Sequence, residues 1–216
     1  MDPFRFALAL GPLAVYLLFI GLVQLRRRPF LTTGTRDLAA MGLALAGFAV
    51  IGPLELFMPE AAATVFGWMV WGPLLVLYGL GVLLVMLSQR PRLVIYNMTV
   101  DELRPVLAQA VSGLDGQARW AGDNLVMPQL GVQLHVDPQE SMRTVSLVAT
   151  GERQSLVGWQ KLAAALRPAL KRSQVGRNPR GLAFLGLGLL LFSVAYGWLV
   201  LDPAQVAQRM AELLRL

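Results

Sequence analysis

Val65–Leu87 reads VFGWMVWGPLLVLYGLGVLLVML, and it is followed at once by Ser88–Tyr96, SQRPRLVIY. The first stretch has 23 residues without a charge. That is enough for a helix to cross a ~30 Å hydrocarbon core. The second stretch changes register abruptly. Two arginines flank a proline, and then a short run rich in β-branched and aromatic residues reads as a strand. A membrane helix therefore leads directly into a domain containing a sheet.

Working outward, three more apolar runs appear: Phe6–Leu25, Leu38–Phe57 and Leu182–Leu201. Across all four runs the only charged side chain is Glu55. The expected fold is an α-helical membrane protein with four transmembrane helices in a 3+1 layout and an inserted cytoplasmic α+β domain. Its parts are the three helices within residues 1–90 (6–25, 38–57 and 65–87), the α+β domain at 91–172, a basic hinge and fourth helix at 173–201 (the helix at 182–201), and an amphipathic C-terminal helix at 202–216. The composition agrees, being 56% hydrophobic and only 15% charged, where soluble domains carry about a quarter charged residues.

The net charge of +6 is placed at the membrane boundary. Arg26, Arg27, Arg28 and Arg36 lie between runs one and two, Arg90 and Arg92 follow run three, and Lys171, Arg172, Arg177 and Arg180 precede run four. Between runs two and three there is no basic residue. Basic residues are retained on the cytoplasmic side. Both termini are therefore expected outside and residues 91–180 inside, with run one an uncleaved anchor in a bacterial inner membrane. Trp68, Trp71 and Trp198 then fall toward the outer interface, where indoles favour the headgroup level. Arg26, Arg27, Arg28, Lys171, Arg172, Arg177 and Arg180 are expected to contact anionic lipid, each basic residue contributing on the order of 1 kcal/mol.

Gly-Pro-Leu occurs in three runs, at Gly11-Pro12-Leu13, Gly52-Pro53-Leu54 and Gly72-Pro73-Leu74. Proline frees a carbonyl within a helix, and the topology puts all three sites in the outer leaflet. Glu55 lies beside Pro53, and an ionisable group at membrane depth is a functional candidate. An outer-leaflet cavity lined by Glu55, Tyr16 and Trp71 is one expectation. The plainer alternative is that Glu55 reaches the headgroups.

The insert opens with a strand at Arg92–Met98. Thr99 and Glu102 have capping-box spacing, and Leu103, Val106, Leu107, Ala110, Val111 and Leu114 form one helical face. Gly122-Asp123-Asn124 marks a hairpin between Ala118–Ala121 and Leu125–Met127. Gly131–Val136 alternates, Asp137-Pro138 is expected to turn, and Arg143–Thr150 is a further strand. Ser155 caps a last helix with Leu156, Trp159, Leu162, Ala163, Leu166 and Leu170 on one face. Pro105 is expected to unsettle the start of the first helix, and Pro168 to bend or end the second.

Chemistry-bearing patterns are sparse. There is no cysteine, so thiolate nucleophiles and thiolate metal sites do not arise. His135, the one histidine, stands two residues from Asp137 on one strand face and could form a general acid/base pair. No Walker A loop, HExxH, EF-hand loop or GxSxG is present. Neither a cofactor nor a metal is expected, and no nucleic acid, because aromatics for base stacking are few. The leading expectation is a non-enzymatic membrane subunit or adaptor whose cytoplasmic domain binds a partner or ligand. Its partners would be membrane lipids and either another membrane protein or further copies of itself. A binding protein for a lipid or apolar small molecule near Glu55 is the alternative, and an enzyme using His135 and Asp137 comes behind it.

Overall fold

The computed structural model describes residues 3–54, 69, 71–176 and 178–201. The amphipathic C-terminal helix expected at 202–216, Glu55 and Arg177 lie outside the described residues, as do the side chains of Trp71 and Trp198. The chain divides into two compact units, one of residues 1–20, 38–88 and 183–216, the other of 21–37 and 89–182.

The first unit is helical. Its elements are α1 (Pro3–Leu25), α2 (Gly34–Ala49), α3 (Trp71–Ser88) and α6 (Arg180–Leu201), the first two and the last continuing into the second unit. Among the described residues three helical segments are long and apolar enough to cross a membrane: Phe6–Leu25, Gly34–Gly52 and Arg180–Gly197. The apolar helix Gly72–Ser88 is shorter. Leu43, Leu84 and Leu87 are about three-quarters exposed, at 72%, 69% and 74%. A water-soluble helix turns such side chains inward; here they face outward.

Small residues set the helix contacts. A Cβ at Gly47 would run into the carbonyl oxygens of Leu8 and Ala9, so α1 and α2 approach backbone to backbone there. A Cβ at Gly188 would meet the Leu18 backbone nitrogen at 3.0 Å, which gives the same kind of contact between α1 and α6. On α3 the Tyr78 hydroxyl donates to the Gly42 carbonyl at 2.6 Å. Close approach at small residues and interhelical hydrogen bonds are how helices associate where no hydrophobic driving force separates them from lipid. Pro53 falls in a π-helical turn, Val50–Leu54, that follows α2. Pro12 lies within the unbroken α1.

The second unit is built on a six-stranded antiparallel sheet in the order β1-β2-β6-β5-β4-β3. The strands are β1 (Phe30–Thr33), β2 (Arg92–Tyr96), β3 (Arg119–Ala121), β4 (Asn124–Met127), β5 (Val132–Gln139) and β6 (Thr144–Ala149). Helices α4 (Val100–Ser112) and α5 (Leu156–Arg172) are amphipathic. Their apolar stripes pack with Leu93, Ile95, Leu125, Leu134, Val145 and Leu147 into one core. The capping box forms as the spacing predicts, Thr99 N–H donating to Glu102 Oε2 at 2.9 Å and Glu102 N–H to Thr99 Oγ1 at 3.4 Å. Ser155 Oγ likewise accepts from Gly158 N–H at 3.1 Å.

Three proline expectations are corrected. Asp137-Pro138 does not turn: β5 runs on to Gln139, with Pro138 opposite Val145. Val136 N–H bonds the Asp123 carbonyl at 2.8 Å, so alternate N–H groups of β5 point toward β4. The β4 register ends at the Asn124–His135 pair. No β4 residue stands opposite 138, and proline removes no β4–β5 ladder bond. Pro168 does not end α5, since the helix continues to Arg172. Pro168 and Ala164, four residues before it, both lie on the exposed face, while Leu166 and Leu170 hold the turn in the core. Pro105 leaves the start of α4 at Val100, where the capping box holds it.

Asp115, just beyond α4, is 1% exposed. Its carboxylate accepts from the backbone N–H groups of Gln117 at 2.9 Å, Gln129 at 2.8 Å and Leu130 at 3.4 Å. It thus ties the α4–β3 connection to the β4–β5 turn. Asp115→Ala leaves these donors unpaired, and a loss of about 1–3 kcal/mol is expected. Urea unfolding of the full chain in mild detergent measures it.

Candidate anion-binding groove

α1 ends at Leu25, and the chain turns through Arg26, Arg27 and Arg28 into β1. This turn is held on several sides. Arg26 N–H donates to Val23 O at 3.3 Å and Val175 N–H to Arg27 O at 3.0 Å. The side-chain amide of Asn97 donates to Arg26 O at 2.5 Å. Asn97 is fully buried and sits at φ 60°, a left-handed conformation that asparagine tolerates. β1 then locks the far end of the turn by pairing Phe30 with Tyr96 and Leu31 with Ile95.

Beneath the turn lies a buried amide pair. Asn178 is 2% exposed and Gln24 not at all. The Asn178 amide donates to Gln24 Oε1, and Asn178 N–H donates to Gln24 O at 3.3 Å. The same Asn178 amide reaches Met142 O at 3.5 Å, and its Oδ1 accepts from Arg180 N–H at 3.1 Å. The end of α1, the residues before α6 and the β5–β6 connection therefore meet at one polar centre.

A groove of about 590 Å³ opens over this turn, lined by Arg26, Arg27, Arg28, Pro29, Phe30 and Lys171. Lys171 comes from the last turn of α5. Two helix C-termini thus converge on the groove, and cations suit the negative ends of their dipoles. The four basic side chains are exposed. Among the described residues none of them has an ion-pair partner. No family model, curated protein or solved structure matches the chain.

The structure brings together four of the seven residues expected at anionic lipid. Arg172 is exposed but does not line the groove. Arg180 turns its guanidinium to Glu140 O at 3.1 Å. Tyr16 is half-buried on α1; its two expected companions, Glu55 and the Trp71 side chain, are not described. His135 Nδ1 lies 3.0 Å from Asn124 Oδ1, across the β4–β5 pair.

A second concavity of about 430 Å³ lies at the start of α4, where Asp101, Asp123, Glu140 and Arg143 are among its lining. Arg143 is held there by Glu102, whose carboxylate oxygens accept from its Nη2 at 2.9 and 3.1 Å. Arg104 pairs with Asp123. Sequence reasoning missed Gln24, Asn97 and Asn178. The signals were slight: a glutamine one residue from the end of an apolar run, and asparagines just after a strand and just before a proline.

Proposed function

We propose that the chain is a non-enzymatic integral membrane subunit with four spans. Its termini lie outside, and its sheet domain lies at the cytoplasmic face of a bacterial inner membrane. There the domain contacts anionic headgroups through the arginine groove and offers the cleft at the start of α4 to a membrane protein partner or a second copy. One observation carries this reading. The sheet domain incorporates the helix connections themselves, since β1 comes from between the first two apolar helices and its buried polar centre joins Gln24 to Asn178. A tethered catalytic domain needs only a flexible linker; a domain stitched to several helix ends suits a fixed scaffold.

Purification of the full chain in mild detergent tests it. A stoichiometric protein partner or a defined homo-oligomer is expected. A monomer that instead retains an apolar molecule in its helical unit would contradict the adaptor reading and favour lipid or small-molecule binding near Glu55.

A further inference from the structure

We infer that the groove over Arg26–Phe30 is a built site for a lipid headgroup carrying two phosphates. This goes further than the diffuse attraction of basic residues to an anionic surface. The inference rests on the proposal that the sheet domain lies against a bilayer, and three observations lead to it.

The first is charge. Arg26, Arg27, Arg28 and Lys171 surround one concavity, and among the described residues none is neutralised by an acid. A single phosphodiester would leave most of that charge unmatched. Two phosphates offer several oxygens for the guanidinium forks, which bind phosphate bidentately, and for the lysine point charge.

The second is rigidity. A polybasic tail attracts lipid without shape, because its backbone moves. Here the Arg26 and Arg27 carbonyls are held by Asn97 and by Val175 N–H, and the next residues enter β1. Cations mounted on a fixed backbone retain their spacing, and affinity follows preorganisation. The third is position. The arginines directly follow the last residue of an apolar helix long enough to span a bilayer, which puts them at headgroup depth. Basic pockets at the cytoplasmic ends of membrane helices are where headgroups with more than one phosphate bind.

The test uses the full-length chain in nanodiscs of neutral phosphatidylcholine, so that both membrane faces are accessible and the result does not depend on orientation. Bound lipid is counted by native mass spectrometry after release. One set of discs carries cardiolipin. A second carries phosphatidylglycerol at twice the mole fraction, which matches the charge. Half-saturation by cardiolipin is expected at roughly tenfold lower lipid phosphate. Neutralising one groove cation, as in Lys171→Gln, should weaken cardiolipin binding about fivefold, and R27Q/R28Q about 25-fold. R153Q/K161Q, elsewhere on the same unit, should leave it unchanged.

Asn97→Gly keeps the left-handed backbone and all four charges but removes the donor to Arg26. It should reduce the preference for cardiolipin over phosphatidylglycerol, which a diffuse surface would not do. Equal binding of the two lipids at matched charge would overturn the inference while leaving the bilayer-facing orientation intact. Displacement of cardiolipin by millimolar pyrophosphate would overturn it in another way, by assigning the groove to a soluble diphosphate.

Discussion

Trp159→Ala is expected to unfold the sheet domain or leave it barely stable. The indole is 5% exposed and belongs to the core that α4, α5 and the sheet form. Its Nε1–H donates to Gln154 Oε1 at 3.0 Å, and Gln154 in turn donates to Gln133 O at 3.0 Å, so the ring is also tied to β5. Truncating a buried tryptophan costs about 3–5 kcal/mol. A domain of this size has only about 5–15 kcal/mol in all. Trp159→Phe retains most of the volume and loses one hydrogen bond, so it should cost much less than the alanine change. Urea unfolding of the full chain in mild detergent, followed by far-ultraviolet circular dichroism, separates the two. Equal midpoints for Trp159→Ala and the unaltered chain would place the ring outside the core.

Gly47→Val should disrupt the helical unit. A side chain at 47 meets the backbone carbonyls of Leu8 and Ala9, which cannot rotate away as a side-chain tip can. Overpacking of this kind costs about 1–3 kcal/mol where neighbours can shift, and the larger end is expected against backbone. The control is Gly186→Val, at a site on α6 with nothing within 4 Å of the added Cβ. Thermal aggregation in detergent should begin at lower temperature for Gly47→Val and stay unchanged for Gly186→Val. The opposite order would mean that α1 and α2 do not pack through Gly47.

Much of this architecture is written locally. The change from an uncharged 23-residue run to RLVIY marks the passage from apolar helix to strand. The capping box at Thr99 and Glu102 fixes the start of α4, and alternation at Val132, Leu134 and Val136 assigns the buried face of β5. What stayed hidden depends on distant partners. Phe30–Thr33 is too short to show alternation, and it is a strand only because β2 offers an edge. Gln24 and Asn178 are 154 positions apart, and no local rule links them. Pro138 and Pro168 follow general proline chemistry, but an open strand edge and an exposed helix face decide its consequence. The groove was legible in part. Arg26–Arg28 mark the end of an apolar helix by sequence alone, whereas the arrival of Lys171 beside them requires the fold.

Single-cysteine labelling in intact cells decides whether the sheet domain lies on the cytoplasmic side of a membrane. The chain has no cysteine, so the background is clean. Gln139, at the exposed end of β5, is replaced by cysteine and treated with a membrane-impermeant maleimide. A second variant carries the cysteine at Glu60, between the second and third apolar runs. With the sheet domain inside, labelling is expected at 60 from outside, and at 139 only after the membrane is permeabilised. Labelling of position 139 in unbroken cells would place the sheet domain outside and contradict that topology.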